Sequence, residues 1–75
     1  MTQITELEKF HVPLGGQQVA LQEIIHAEGA MPMLRIRIRE GKRFTIFDMD
    51  PLTAKGLAEA MLRWSGAQQV CWDAA

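Results

Sequence analysis

The chain has 75 residues, 48% of them apolar, and its 8 basic and 9 acidic side chains leave a net charge of −1. This length allows one domain with a small core, and the near-neutral charge argues against a general nucleic-acid binder, which is usually basic overall. The single cysteine, Cys71, excludes an internal disulfide, so an apolar chain this short, without a covalent staple, is expected to form a homodimer.

The N-terminal stretch MTQITELEKF is polar and acidic. It lacks the basic start and the apolar run of a signal peptide, and no apolar run in the chain approaches the roughly 18 residues of a membrane span. One free cysteine suits a reducing compartment. We therefore expect a soluble, cytoplasmic protein that does not associate with membranes.

The first two predicted strands form a hairpin. Alternating apolar residues predict a strand over about residues 7–14, at a sheet edge because it contains Pro13, and a second strand over about residues 17–27. Gly15-Gly16 is a suitable two-residue loop, since both glycines accept positive φ. Glu23 interrupts the apolar side, and we expect it at a bulge or at the rim of the sheet, unless it marks a site. The apolar pairs that this loop creates are Val12 with Val19 and Phe10 with Leu21.

The third and fourth strands flank the turn sequence REGK, and the loop length decides which side chains share a face. A two-residue loop of Glu40 and Gly41 would mix apolar and charged residues. A three-residue loop, residues 39–41, collects the apolar residues on one face and places Gly41 in the left-handed conformation that glycine prefers. The apolar pairs predicted from this loop are Ile36 with Phe44 and Leu34 with Ile46.

The same register predicts a cationic face on the other side of the sheet, made of Arg35, Arg37, Arg43 and Phe47. Opposed arginines there would cost about 0.2 to 1 kcal/mol. Three interpretations remain open: a solvated face that guards against aggregation, a contact with the acids of a second subunit or of an acidic protein partner, and phosphate binding. Guanidinium groups suit phosphate and Phe47 could stack on a base, so single-stranded nucleic acid is included.

A helix follows the strands. Asp50 is a good N-cap and Pro51 suits the first helical position, while Ser65-Gly66 is expected to end the helix. Gly56 inside the helix suggests close approach of another backbone. The apolar positions at helical spacing are Ala54, Leu57, Ala58, Met61 and Leu62.

The elements together predict a single α+β domain over residues 1–75: a four-stranded antiparallel sheet of two consecutive hairpins, followed by one C-terminal helix packed on one face, β-β-β-β-α. The core on that face would contain Phe10, Val12, Leu21, Ile36, Phe44 and Ile46. Residues 67–75 form a C-terminal tail that folds back or docks on a partner. Trp64, Trp72 and Met61 are the expected anchors of the subunit interface.

The order of these elements over residues 31–64, with the junction TIFDMDPLTAKGLAEAML, resembles the layout of whirly-type single-strand binders and transcriptional coactivators. In those proteins two subunits pack through their helices, and the strand faces hold nucleic acid. The resemblance is an analogy in the order of elements. It implies a helix-mediated dimer with a nucleic-acid face.

No catalytic, metal or cofactor site is predicted. His11 and His26 lie on different strands and are expected to be structural or solvated, and Cys71 has no base nearby in the sequence. Asp50 is explained as a cap. The leading hypothesis is therefore a homodimeric protein-interaction module without catalytic activity. The alternative is single-stranded nucleic-acid binding by the face that bears Arg35, Arg37 and Arg43.

Overall fold

The computed structural model describes residues 1–68. Four strands lie side by side in the order β1-β2-β3-β4, with every neighbouring pair antiparallel, and one helix follows them. The predicted β-β-β-β-α fold is confirmed. The elements are β1 (Gln3–His11), β2 (Gln18–Ile25), β3 (Met33–Glu40), β4 (Arg43–Met49) and α1 (Pro51–Gly66).

The β1–β2 hairpin has a longer loop than the sequence predicted. The amide of Val12 donates to Gln17 O at 2.8 Å, and the amide of Gly16 donates to Val12 O at 2.7 Å, so residues 13–16 form the loop. Proline has no N–H for a ladder hydrogen bond, and pairing therefore stops before Pro13. Phe10 consequently faces Val19 instead of Leu21, a shift of two residues that leaves the same side chains on the same face.

A β-bulge lies in β1 and not in β2. The register between the two strands shifts between Glu6 and Glu8, which leaves Leu7 as the extra residue. Glu23 pairs regularly with Thr5 on one side and Leu34 on the other. The expected bulge at Glu23 is therefore wrong, whereas its row, which ends at Met49, is the last that spans all four strands.

The β3–β4 hairpin turns through two residues, Gly41 and Lys42, with Glu40 paired to Arg43. Gly41 has φ +60°, as the first loop residue of a type II′ turn requires. The predicted three-residue loop is wrong. With the two-residue loop, each side chain of β4 lies on the opposite face of the sheet from the predicted one. Side chains of β3 and β4 that were expected on opposite faces therefore share one face.

The new register separates the side chains of the sheet into two sets, because directly paired residues point to the same side. The first set lies on the side that α1 covers, and we call it the helix side; it includes Phe10, Val19, Leu21, Leu34, Ile36, Arg43, Phe47 and Met49. The second set forms the open face, which includes the arginines Arg35, Arg37 and Arg39 with Phe44, Ile46 and Asp48 of β4. Phe44 and Ile46 thus lie opposite the predicted core.

Helix α1 starts where the sequence predicted. Asp50 accepts a hydrogen bond from the amide of Thr53 at 3.1 Å and another from its hydroxyl, and Pro51 occupies the first turn. Satisfying the free amides of the first turn stabilises the helix start. The helix ends at Gly66, as predicted.

The core of a single chain is very small. Within residues 1–68, the only buried apolar side chains are Ile24, which is fully inaccessible, and Met49, which is 3% exposed. No residue of α1 is buried. The helix therefore lies over the helix side without closing on it. Among the described residues, no helix is long and apolar enough to cross a membrane.

Candidate functional site

A wide apolar groove separates α1 from the sheet. It has a volume of about 920 Å³, and none of its lining side chains is ionisable. We call it the groove. The sheet contributes Phe10, Val19, Leu21, Leu34 and Ile36, and the helix contributes Ala54, Leu57, Ala58, Ala60, Met61, Leu62, Trp64 and Ser65.

The helical wall of the groove carries large exposed apolar side chains. Met61 is 61% exposed, Leu62 73% and Trp64 67%. Exposed apolar surface that is contiguous, as it is here, marks interaction sites. Two of the three predicted interface anchors, Met61 and Trp64, thus lie together on the groove; Trp72 lies outside the described residues.

The open face is organised in four rows of paired residues, of which three cross the strands from β1 to β4 and the fourth ends at β3. Two rows carry cations without carboxylates, the third row carries one cation and two carboxylates, and the fourth is apolar. The rows are His11, Gln18, Arg39 and Phe44; Lys9, Ala20, Arg37 and Ile46; Glu6, Gln22, Arg35 and Asp48; and Ile4, Ile24 and Met33.

The first two rows enclose a hollow of about 420 Å³, which we call the cationic channel. Its walls rise from β1 on one side and from β3 on the other, and the small side chain of Ala20 lies on the strand between them. The residues that line it are Lys9, Phe10, His11, Gln18, Val19, Ala20, Arg37, Arg39 and Phe44. The channel therefore combines several cations with a shallow floor.

In the third row, the cation is neutralised by an ion pair within the chain. Arg35 donates to both carboxylate oxygens of Asp48, from Nε at 2.8 Å and from Nη2 at 3.0 Å. This hydrogen bond with the guanidinium is the main cause that lowers the pKa of Asp48, and the same bond raises the pKa of Arg35. In the same row Gln22 donates to Glu6. Arg35 is thus already engaged within the chain.

Arg37 and Arg39 both lie near the ring of Phe44. The Cζ atom of Arg37 is 4.5 Å from the ring centroid, and that of Arg39 is 5.8 Å away. Guanidinium groups interact favourably with aromatic faces at this range. Arg39 also donates from Nε to Gly41 O at 3.1 Å. Neither arginine forms a salt bridge with a described residue, so both present cations that the fold orients but does not neutralise.

The predicted cationic set does not form one surface. Arg35 and Arg37 share the open face as expected, but Arg43 pairs with Glu40 and Phe47 pairs with Ile36, which places both on the helix side. The cause is the turn at Gly41 and Lys42, which shifts β4 by an odd number of residues. Like-charge opposition of Arg37 and Arg43 is thereby avoided.

Sequence reasoning missed the residues that replace the predicted set: Arg39, Lys9, His11 and Phe44. The charges of β3 and β4 could have identified the correct register. The observed register pairs Arg35 with Asp48, which have opposite charges, whereas the predicted register paired two arginines. A register chosen by charge as well as by apolar matching would have placed Phe44 on the same face as the arginines.

The described residues contain no group of three or more histidine, cysteine, aspartate or glutamate side chains arranged to hold a metal ion. His11 lines the cationic channel. Hydrogen bonds to Thr53 lower the pKa of Asp50, which fits its function as a helix cap.

Comparisons with known proteins give a family but no characterised relative. No curated protein and no solved structure matches the chain, so the resemblance to whirly-type proteins rests on the order of elements alone. A family model matches residues 1–67, which include all four strands, α1, the groove and the cationic channel. The chain therefore belongs to DUF6967, a family of unknown function.

Proposed function

We propose that the protein is a homodimeric protein-interaction module without catalytic activity, whose two copies meet through the groove and α1. The observation that carries the proposal is the groove itself, an apolar space of about 920 Å³ bordered by a helix with no buried residue. A chain whose described part buries two apolar side chains has a small core, and domains this short are often stabilised by a second subunit. A second copy supplies the missing contacts.

The chemistry of the groove favours a second copy over an unrelated partner. The lining has no charged group to select a polar ligand, and three large exposed apolar side chains of the helix, Met61, Leu62 and Trp64, border the same space. In a two-fold arrangement the same patch meets itself, so the helix of each copy can cover the groove of the other. Met61 and Trp64 are then buried in the centre of the interface.

The open face would point outward in such a dimer, where its cations are available to an anionic partner. We propose no reaction, because the two neighbouring carboxylates of this region already have structural partners. Asp48 pairs with Arg35, and Asp50 caps α1. We place the protein in the cytoplasm, since its single cysteine suits a reducing compartment.

Single-stranded nucleic-acid binding is the second candidate function. The packing of Arg37 and Arg39 against Phe44 favours it, since cations beside an aromatic ring are typical of such surfaces. Its surface differs from the predicted one, because Phe44 and Arg39 take the places of Phe47 and Arg43. The dimer remains the leading proposal, since the groove requires a partner whatever the open face binds.

A pair of variants in α1 tests the dimer. Met61→Glu places a charge in the groove, whereas Leu52→Glu makes the same kind of change about 180° around the helix, at a residue that does not line the groove. Sedimentation velocity over a wide range of protein concentration should show the wild type and Leu52→Glu at twice the 8.5 kDa chain mass. Met61→Glu should sediment as a monomer. A wild-type monomer at high concentration, or a dimer that tolerates Met61→Glu, would contradict the proposal.

A further inference from the structure

We infer that the cationic channel is a binding site for a small phosphorylated ligand that carries one or two phosphate groups. The inference deepens the proposed function, since it names the anionic partner of the open face. It concerns residues of a single chain, however, and can be tested whether or not the dimer forms.

The shape of the channel suits a small ligand. Lys9 and Arg37 pair with Ala20 from its two sides, and neighbouring strands lie about 4.8 Å apart. The two cationic walls therefore begin about 10 Å apart, with a methyl group as the floor between them. A larger side chain at Ala20 would fill this space. The volume of about 420 Å³ falls in the range of small-molecule sites.

The charge of the channel suits a phosphate. Three cations, Lys9, Arg37 and Arg39, line it together with His11, and its two rows contain no carboxylate. Guanidinium groups bind phosphate oxygens through paired hydrogen bonds, and the fold holds both arginines of the site against Phe44 before any ligand arrives. A phosphate ester carries about −1.5 to −2 charges at pH 7, which such a cluster matches better than the single charge of a carboxylate.

The length of the channel limits the size of the ligand. Two rows on one face of a strand are about 7 Å apart, and this distance accommodates one or two phosphate groups. At one end lies the row in which Asp48 is paired with Arg35 and Glu6 is a further carboxylate. A polyanion that continued past this end would gain no further cation and would meet Glu6, so the channel favours a nucleotide-sized phosphate ester over an extended single strand.

Pyrophosphate and inorganic phosphate are the probes that test the site. Titration of the labelled full-length protein at low salt, followed by NMR, should shift the methyl signal of Ala20 and the amides around it. Arg37→Gln should weaken pyrophosphate binding at least tenfold, because it removes a charge-assisted contact. Arg43→Gln removes the same charge on the helix side and is the matched control; it should leave the affinity within about twofold. Ala20→Leu keeps every charge and should abolish binding by filling the floor.

The outcomes separate the site from the dimer and from nucleic-acid binding. The monomeric Met61→Glu variant, with its fold checked in the same NMR spectra, should still bind pyrophosphate; a folded monomer that does not bind would mean that the site requires the dimer and would overturn the single-chain inference. Equal losses in Arg37→Gln and Arg43→Gln, or no binding at millimolar pyrophosphate, would also overturn it. If a 20-nucleotide oligothymidine bound far more tightly than pyrophosphate, the ligand of the open face would be single-stranded nucleic acid, and the inference of a small ligand would be overturned.

Discussion

Arg35, Arg37 and Arg39 occupy one face of the same strand, yet the fold gives them different partners. Arg35 is bound to the carboxylate of Asp48, whereas Arg37 and Arg39 lie over the ring of Phe44. The carboxylate neutralises its cation and the ring does not. The identity of the residue opposite each arginine in β4 therefore decides which cations remain available to a ligand.

The Arg35–Asp48 pair predicts a pH dependence of stability. The bond to Arg35 keeps the pKa of Asp48 below the ordinary aspartate value of about 3.9, so the pair contributes stability above that pH and loses it as the pH falls through the lowered pKa. Asp48→Asn should reduce the free energy of unfolding at pH 7. Urea denaturation from pH 7 to pH 2 should show the difference from wild type shrinking below about pH 4.

A difference that persisted undiminished at pH 2 would contradict this account, because protonated aspartate and asparagine are both neutral. Glu40→Gln is a suitable control, since it also removes a carboxylate from the sheet. Among residues 1–68, Glu40 accepts a side-chain hydrogen bond only from the amide of Gln17, at 3.0 Å, and this contact is exposed. Its variant should follow wild type more closely over the whole pH range.

At the level of elements, alternation, turn residues and capping were enough to predict four strands and a helix in the right order. Asp50 and Pro51 fixed the start of α1 because capping is a local interaction. Strand pairing could not be fixed in the same way, since several loops are compatible with the turn sequence REGK and each assigns a different face to β4. The apolar residues on both faces of β4 made apolar matching a poor criterion there.

Substitution by alanine should change the stability in opposite directions at Gly41 of the β3–β4 turn and at Gly56 of α1. Gly41 has φ +60°, so Gly41→Ala should destabilise the protein by about 1 to 2 kcal/mol through backbone strain. Gly56 lies in α1 with open space around it, so Gly56→Ala should stabilise by up to about 1 kcal/mol. Chemical denaturation of both variants measures the two values.

If Gly41→Ala were neutral, the left-handed turn would be incorrect. The control at Gly56 also tests the expectation that this glycine allows close approach of another backbone. It does not line the groove, and apart from its chain neighbours and the surrounding backbone of α1, no described atom lies within 4 Å of the position that a Cβ would occupy there. A destabilising Gly56→Ala would indicate that a second copy contacts the outer side of the helix instead.

At the level of the whole molecule, the unfilled groove would link folding to association in the proposed dimer. Two apolar side chains are buried among the described residues, so a second copy would add to the core, and the stability of such an assembly depends on its concentration. The length and apolar content of the sequence predicted a dimer. The place of the proposed interface could be inferred only from the structure, because the groove depends on how α1 crosses the sheet.

Thermal unfolding should therefore depend on protein concentration. Each tenfold increase contributes about 1.4 kcal/mol per dimer, which corresponds to a rise of about 3 to 6 °C in Tm for an assembly of this size. Differential scanning calorimetry over two decades of concentration measures the slope. Met61→Glu should show a lower Tm with no slope, and a wild-type Tm that stayed constant would oppose the coupling of folding to association.

The extra residue in β1 has a consequence for how this sheet can aggregate. At Leu7 the spacing of the outward amides and carbonyls is broken, so the β1 edge is a poor template for another strand. The pairing of β4 with β3 is regular throughout, which leaves β4 as the one edge suited to strand addition. A fibril that grows by pairing of edge strands needs two edges on every molecule that can pair. If β4 is the one such edge of the described sheet, two molecules can pair through their β4 strands, and no edge is then left for a third.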